Sequence, residues 1–274
     1  MTLQAAFVLG IKLSIVLAMF AHGLTATMNE ITYLFRRPGK FAKSILAIDF
    51  IMPLFAFLVL AVTDLPGPTR LALAALSVSP VEFIMPKRQV QKGFVDKYFI
   101  GLLVAVSVIA LAFVPLSVEL LGRFWGVEAQ VSVSKVAILM VETLLGPLIA
   151  GCIVRKVRPR LAERAAAPLA KLSVIVLVLC AVPILRIALP QVWLLADDGA
   201  LASFAAFVLV GLAVGQFLGG PDPEDRTVLA VATASRHPSV ALVIAASSFP
   251  AEKLVVPAVL MYLLVNALVS SFYV

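Results

Sequence analysis

The chain has 274 residues, of which 62% are hydrophobic and only 14% charged, with a formal net charge of +7. Soluble domains hold about half apolar and about a quarter charged residues, so these proportions exclude a water-soluble fold and leave an integral membrane protein. The basic residues are spread over short loops between apolar runs, which argues for membrane topology and against nucleic acid as a partner.

Apolar runs long enough to cross about 30 Å of hydrocarbon as helices fall at 5–25, 41–63, 71–86, 95–121, 132–154, 168–190, 198–219, 227–249 and 254–274. This predicts an all-α polytopic protein of nine transmembrane helices, two of them broken (71–86 and 227–249), in one transmembrane domain over 1–274. Lys12 before an apolar stretch and the small residues Thr25-Ala26-Thr27 imitate a cleaved leader. The Arg36-Arg37 pair would then have to be exported, against the charge bias, so the first run is read as a helix. Cys152 and Cys180 lie inside predicted spans without metal-ligand spacing and are read as thiols.

Fifteen of the 22 basic residues lie on alternate loops: Arg36, Arg37, Lys40 and Lys43, then Lys87, Arg88, Lys92 and Lys97, then Arg155 to Lys171, and Arg226. The positive-inside rule therefore places the N-terminus outside and the C-terminus in the cytoplasm, and the expected location is a bacterial inner (plasma) membrane.

The two broken runs resemble each other. One reads Leu65-Pro66-Gly67-Pro68-Thr69-Arg70, nine mostly apolar residues, then Pro80; the other reads Gly220 to Arg226, nine such residues, then Arg236-His237-Pro238. Counted from each arginine, Leu73 matches Leu229, Ala74 matches Ala230, Ser77 falls on Thr233 and Ser79 matches Ser235. The topology sends the two runs through the membrane in opposite directions, which makes them inverted repeats. Arg70 to Pro80 and Arg226 to Arg236 each span about 15 Å of helix, so both breaks fall near mid-membrane. Proline lacks an amide hydrogen and drives the preceding residue, here Ser79 and His237, out of the helical region. Irregular backbone at that depth needs cover from protein or a wet cavity. Interrupted segments in corresponding halves point to the binding site of a secondary transporter. Ser79, Thr233 and Ser235 would line that site, with half-helix N-termini near Pro80 and Pro238 offering free amides.

Arg236 near the bilayer centre costs at least about 2.5–3.5 kcal/mol to insert and needs a partner. Asp49, Glu82 and Glu142 are the candidates for a charge pair, and the alternative role for Arg236 is contact with an anionic substrate. His237 offers a group that can carry a proton near neutral pH. His22 is read as structural or interfacial.

On the stretches Phe20-Ala21-His22-Gly23-Leu24-Thr25, Arg36-Arg37-Pro38, Ile51-Met52-Pro53, Leu65-Pro66 and Ala230 to Phe249, the chain resembles bile acid/sodium symporter-like transporters over nearly its whole length. The resemblance implies inverted repeats with two discontinuous helices crossing at the centre, in a divergent nine-helix form that lacks the first helix of longer members. Sodium-coupled members carry a Pro-Gly-Gly-Thr-x-Ser-Asn run where this chain has Pro80-Val81-Glu82-Phe83-Ile84-Met85-Pro86. They also carry a Glu where Ala232 stands and Gln-Asn where Arg236-His237 stands. Sodium, a hard cation, favours oxygen ligands, and these side-chain ligands are not matched. The guanidinium of Arg236 is therefore read as a tethered cation in the place of sodium.

The expected function is secondary transport of a small organic anion across a lipid bilayer, through Arg236, His237, Ser79, Thr233 and Ser235, with proton coupling or facilitated transport in place of sodium coupling. The alternative is a non-transporting sensor or interaction protein on the same fold. No HExxH or GxSxG run and no membrane-depth aspartate pair suggests an enzyme, and no organic cofactor or metal is implied.

Overall fold

The computed structural model describes residues 3–82, 97–124, 133–248 and 254–273. Among these, every regular element is helical: α1 (Leu3–Thr25), α2 (Met28–Ile31), α3 (Pro38–Ile45), α4 (Met52–Val62), α5 (Gly67–Val78), α6 (Lys97–Phe124) and α7 (Val133–Met140). Then follow α8 (Gly146–Val157), α9 (Pro159–Leu195), α10 (Leu201–Leu218), α11 (Pro223–Ala234), α12 (Pro238–Ser248) and α13 (Val255–Tyr273). Wider π-helical stretches join α3 to α4 (Leu46–Ile51), α7 to α8 (Val141–Leu145) and α9 to α10 (Ala196–Ala200).

Five helical stretches are long and apolar enough to cross a membrane: Pro38–Val62, Lys97–Leu120, Ala137–Val157, Leu201–Leu218 and Val255–Tyr273. The protein is thus an all-α membrane protein. The second half of the first broken run, from Phe83 to Pro86, lies outside the described residues, as do Lys87, Arg88, Lys92 and Phe249. The predicted sixth segment, 168–190, is longer in the structure, where α9 runs 37 residues through Pro168, Pro183 and Pro190. The stretch read as a loop before it, Arg160 to Ala167, is rich in Ala, Leu, Glu and Arg, the strongest helix formers.

The helices form two packed groups. In one, α1 lies along α8 and α9; in the other, α10 lies along α11 and α13, while α5 touches α4, α12 and α13. Large apolar side chains such as Ile175, Val178 and Leu179 of α9 remain exposed on the outside, the surface that hydrocarbon would cover.

The second group positions the site. Gly211 and Gly215 of α10 let α11 approach to backbone contact: a Cβ on Gly215 would stand 2.4 Å from Ala230 Cα, and one on Gly211 would stand 2.7 Å from Ala234 Cα. Small residues permit this close helix packing inside membranes. Val228 to Ala234 of α11 are consequently all buried. At the other end of α11, Asp225 is only 3% exposed and pairs with Lys40 near the start of α3. Lys40 also lies over the rings of Tyr33 and Tyr98, at 5.7 and 5.6 Å.

Candidate functional site

Three prolines shape the site, and each deprives a carbonyl of its helical partner. Pro80 cannot donate to Leu76, four residues earlier. The Leu76 carbonyl accepts instead from the hydroxyl of Ser79 at 2.9 Å and from the Ser79 amide at 3.2 Å. α5 therefore ends at Val78, with Ser79 extended (φ −74°, ψ 150°).

Pro238 likewise cannot donate to Ala234. That carbonyl accepts from the hydroxyl of Tyr262 on α13 at 2.7 Å. α11 ends there, Ser235 is extended (φ −92°, ψ 136°), and α12 starts at Pro238.

Pro53 acts on the π stretch. In the π register, hydrogen bonds run from residue i to i+5, so the donor for the Ile48 carbonyl would be the missing amide hydrogen of Pro53. The Ile48 carbonyl accepts instead from Arg236 Nη2 at 2.8 Å.

The two breaks meet. The backbone N–H of His237 donates to the Pro80 carbonyl at 2.8 Å, and Arg236 Nη1 donates to the Ser79 carbonyl at 3.3 Å. The guanidinium thus binds carbonyl oxygens from two separate elements, with the ring of Phe207 at 5.8 Å. Arg236 is 1% exposed and His237 2%.

The hydroxyl residues named from sequence lie close along the chain to this point. Thr233 Oγ1 donates to Leu229 O at 2.7 Å, and Ser235 Oγ accepts from Asn266 Nδ2 at 3.3 Å. Thr233, Ser79 and Ser235 are all buried. Thr233 and Ser79 turn their hydrogens back onto their own helices, which leaves oxygen lone pairs as acceptors.

The carboxylates separate. Asp49, in the π stretch beside Ile48, is 3% exposed and interacts electrostatically with Arg236, while its Oδ2 has no hydrogen-bond partner. Glu82 lies at the end of the described segment and interacts electrostatically with Tyr262. Glu142 is placed elsewhere: it pairs with Lys12 of α1 at 2.8 Å and is 55% exposed. Its π stretch packs against α1 in the other helix group, so as a partner for Arg236 it is corrected. His22, read as structural, stacks edge-on against Phe99 at 5.5 Å.

Three polar atoms at the meeting point are buried without a partner: Asp49 Oδ2, Arg236 Nε and His237 Nδ1. Among the described residues no group of three His, Cys, Asp or Glu side chains converges as a metal cage would. Tyr262, Asn266 and Phe207 were missed from sequence. A tyrosine and an asparagine inside the last apolar run were the available signal, since buried polar groups need partners.

A helix interrupted at Pro238 that meets the proline-terminated end of α5 around a buried charge, in an all-α membrane protein, is the arrangement that marks the secondary-transporter class. The chain belongs to the Sodium Bile acid symporter family, whose profile matches residues 12–193. The matched stretch includes Ile48, Asp49 and the first break and stops before Arg236. No curated protein matches the chain.

Proposed function

We propose that the protein is a secondary transporter of a small organic anion in which the Arg236 guanidinium does the work of a bound sodium ion. The observation that carries this reading is the pair of hydrogen bonds from Arg236 to the Ser79 and Ile48 carbonyls. Free carbonyls at helix breaks are what coordinate cations in broken-helix transporters, and here a covalently attached cation occupies two of them. Its positive charge, the first turn of α12 and the unpartnered His237 Nδ1 together favour an anion beside it.

On this reading the chain has nine spans arranged as inverted repeats around the paired breaks. Its N-terminus is outside and its C-terminus cytoplasmic, in a bacterial inner membrane. Asp49 is the counter-charge of Arg236, and Thr233, Ser79 and Ser235 supply acceptors to polar substrate atoms.

The test is uptake into proteoliposomes of radiolabelled taurocholate, pyruvate and methanesulfonate, with sodium or with choline as the only added monovalent cation. Uptake of at least one anion at equal rates in both salts is expected. A strict sodium requirement would overturn the tethered-cation reading, and no uptake of any organic anion would overturn transport.

A further inference from the structure

A buried carboxylate within electrostatic reach of a guanidinium that is already engaged by two carbonyls bears on what drives transport. Asp49 is 3% exposed and within electrostatic reach of Arg236, its Oδ2 has no hydrogen-bond partner, and it sits in a π-helical stretch where Pro53 has loosened the backbone pattern. A carboxylate serving only to fix helix packing would have both oxygens satisfied.

We propose that Asp49 is the proton-binding site of this protein, and that taking up a proton there is the event coupled to anion binding. The inference rests on the transport reading above and adds the coupling ion to it.

The charges set the order of events. Without substrate, the Asp49 carboxylate balances Arg236. A monovalent organic anion entering beside the first turn of α12 brings a second negative charge to the same guanidinium. A proton from water then forms one O–H bond on Asp49, which restores one cation and one anion in the site. When the anion leaves on the other side, Arg236 again favours the ionised carboxylate, the O–H bond breaks and the proton returns to water. One proton and one monovalent anion cross together, with no net charge moved. Linkage makes the effect reciprocal, so the bound proton strengthens anion binding by the factor that the anion strengthens proton binding.

The surroundings are otherwise sparse in charge. Of the elements packed on the Asp49 stretch, α4 and α10 contain no ionisable side chain, α3 holds Lys40 and Lys43, and α11 holds Glu224, Asp225 and Arg226 in its first turn. The break after α11 brings Arg236 and His237. Tyr262 and, through it, Glu82 complete the electrostatic neighbourhood of Arg236.

The test compares the full-length protein with Asp49→Asn, Asp49→Glu and His237→Gln in proteoliposomes. It reads uptake of the anion panel with an inward proton gradient divided by uptake without one. One-to-one coupling sustains up to about tenfold accumulation per pH unit, unaffected by membrane potential for a monovalent anion. The expected result is a ratio well above one for wild type and Asp49→Glu and near one for Asp49→Asn. A wild-type ratio of one, or a ratio kept in Asp49→Asn, would overturn the proposal, and a ratio lost in His237→Gln while kept in Asp49→Asn would assign the proton to His237 instead.

Infrared titration of the purified protein needs no transported solute. A protonated-carboxyl band that appears as pH is lowered, and that is missing from Asp49→Asn, supports the proton site. Its absence from wild type overturns the site even where anion uptake is intact. A wild type that moves no anion overturns the transport reading, and the infrared band then decides the proton site separately.

Discussion

The amide of His237 donates to the carbonyl of Pro80 at 2.8 Å, so the residue before one helix-breaking proline is bonded to the other helix-breaking proline. Each break supplies what the other lacks: the first offers carbonyls, the second an amide and a guanidinium.

Replacing Pro80 with Ala returns an amide hydrogen that can reach the Leu76 carbonyl and extend α5. The carbonyls of Ser79 and Pro80 would then turn along the helix axis, away from Arg236 and His237. We expect Pro80→Ala to fold with unchanged or higher melting temperature and to lose transport by about tenfold or more, since about 1.4 kcal/mol suffices for that factor. Uptake and thermal unfolding, measured side by side in the same detergent preparation, check this.

Removing the guanidinium leaves the Ser79 and Ile48 carbonyls and the Asp49 carboxylate without their partner. Each unsatisfied group costs about 1–3 kcal/mol. Arg236→Ala should therefore melt well below wild type, and sodium, but not choline, should recover part of the loss by occupying the vacated carbonyls. Wild type should show no such sodium effect. Melting curves in the two salts decide the matter, and equal responses in wild type and variant count against it.

Tyr262→Phe deletes the donor that satisfies the Ala234 carbonyl while keeping the ring contacts with Phe204 and Phe207 at 6.0 and 6.1 Å. A loss of about 1 kcal/mol in stability is expected. Hydrogen exchange should rise most at the α11 C-terminus, because the lost bond is local; a uniform increase across the protein would contradict that assignment.

Gly215→Leu places a side chain where even a Cβ would be 2.4 Å from Ala230 Cα. α11 must move outward, and the overpacking penalty is about 1–3 kcal/mol. Expression and melting temperature should both fall, and Gly215→Ala should lie between Leu and wild type.

Asp225→Asn breaks the ion pair with Lys40 that ties the start of α11 to α3. Lys40 keeps some exposure to solvent, so the cost should be about 1–2 kcal/mol, below that of a fully buried pair. A salt-insensitive loss in urea unfolding supports the buried assignment of Asp225.

Much of this architecture was legible in the residues. Pro80, Pro238 and the approach from Arg70 and Arg226 located both breaks, and the hydroxyls at Ser79, Thr233 and Ser235 were named with them. Arg236 had to be buried with a partner, because charge at mid-membrane is costly. The identity of that partner was not legible: the residues ranked Asp49 above Glu82 and kept Glu142 as a third candidate, whereas the structure gives hydrogen bonds to two carbonyls, with Asp49 as an electrostatic neighbour. Glu142 illustrates the reason, since its position in a span says nothing about which helix group it faces.

The sequence by itself determined where the helices must stop, because proline removes a donor whatever surrounds it. It also determined that the chain crosses a membrane, because no other medium accepts so much apolar surface. Only the tertiary structure decided which donor meets each orphaned carbonyl: Ser79 at Leu76, Tyr262 at Ala234, and Arg236 at Ile48. Two of those three donors come from outside the segment whose carbonyl they meet, and such a contact depends on how the segments pack, which no local pattern of residues encodes.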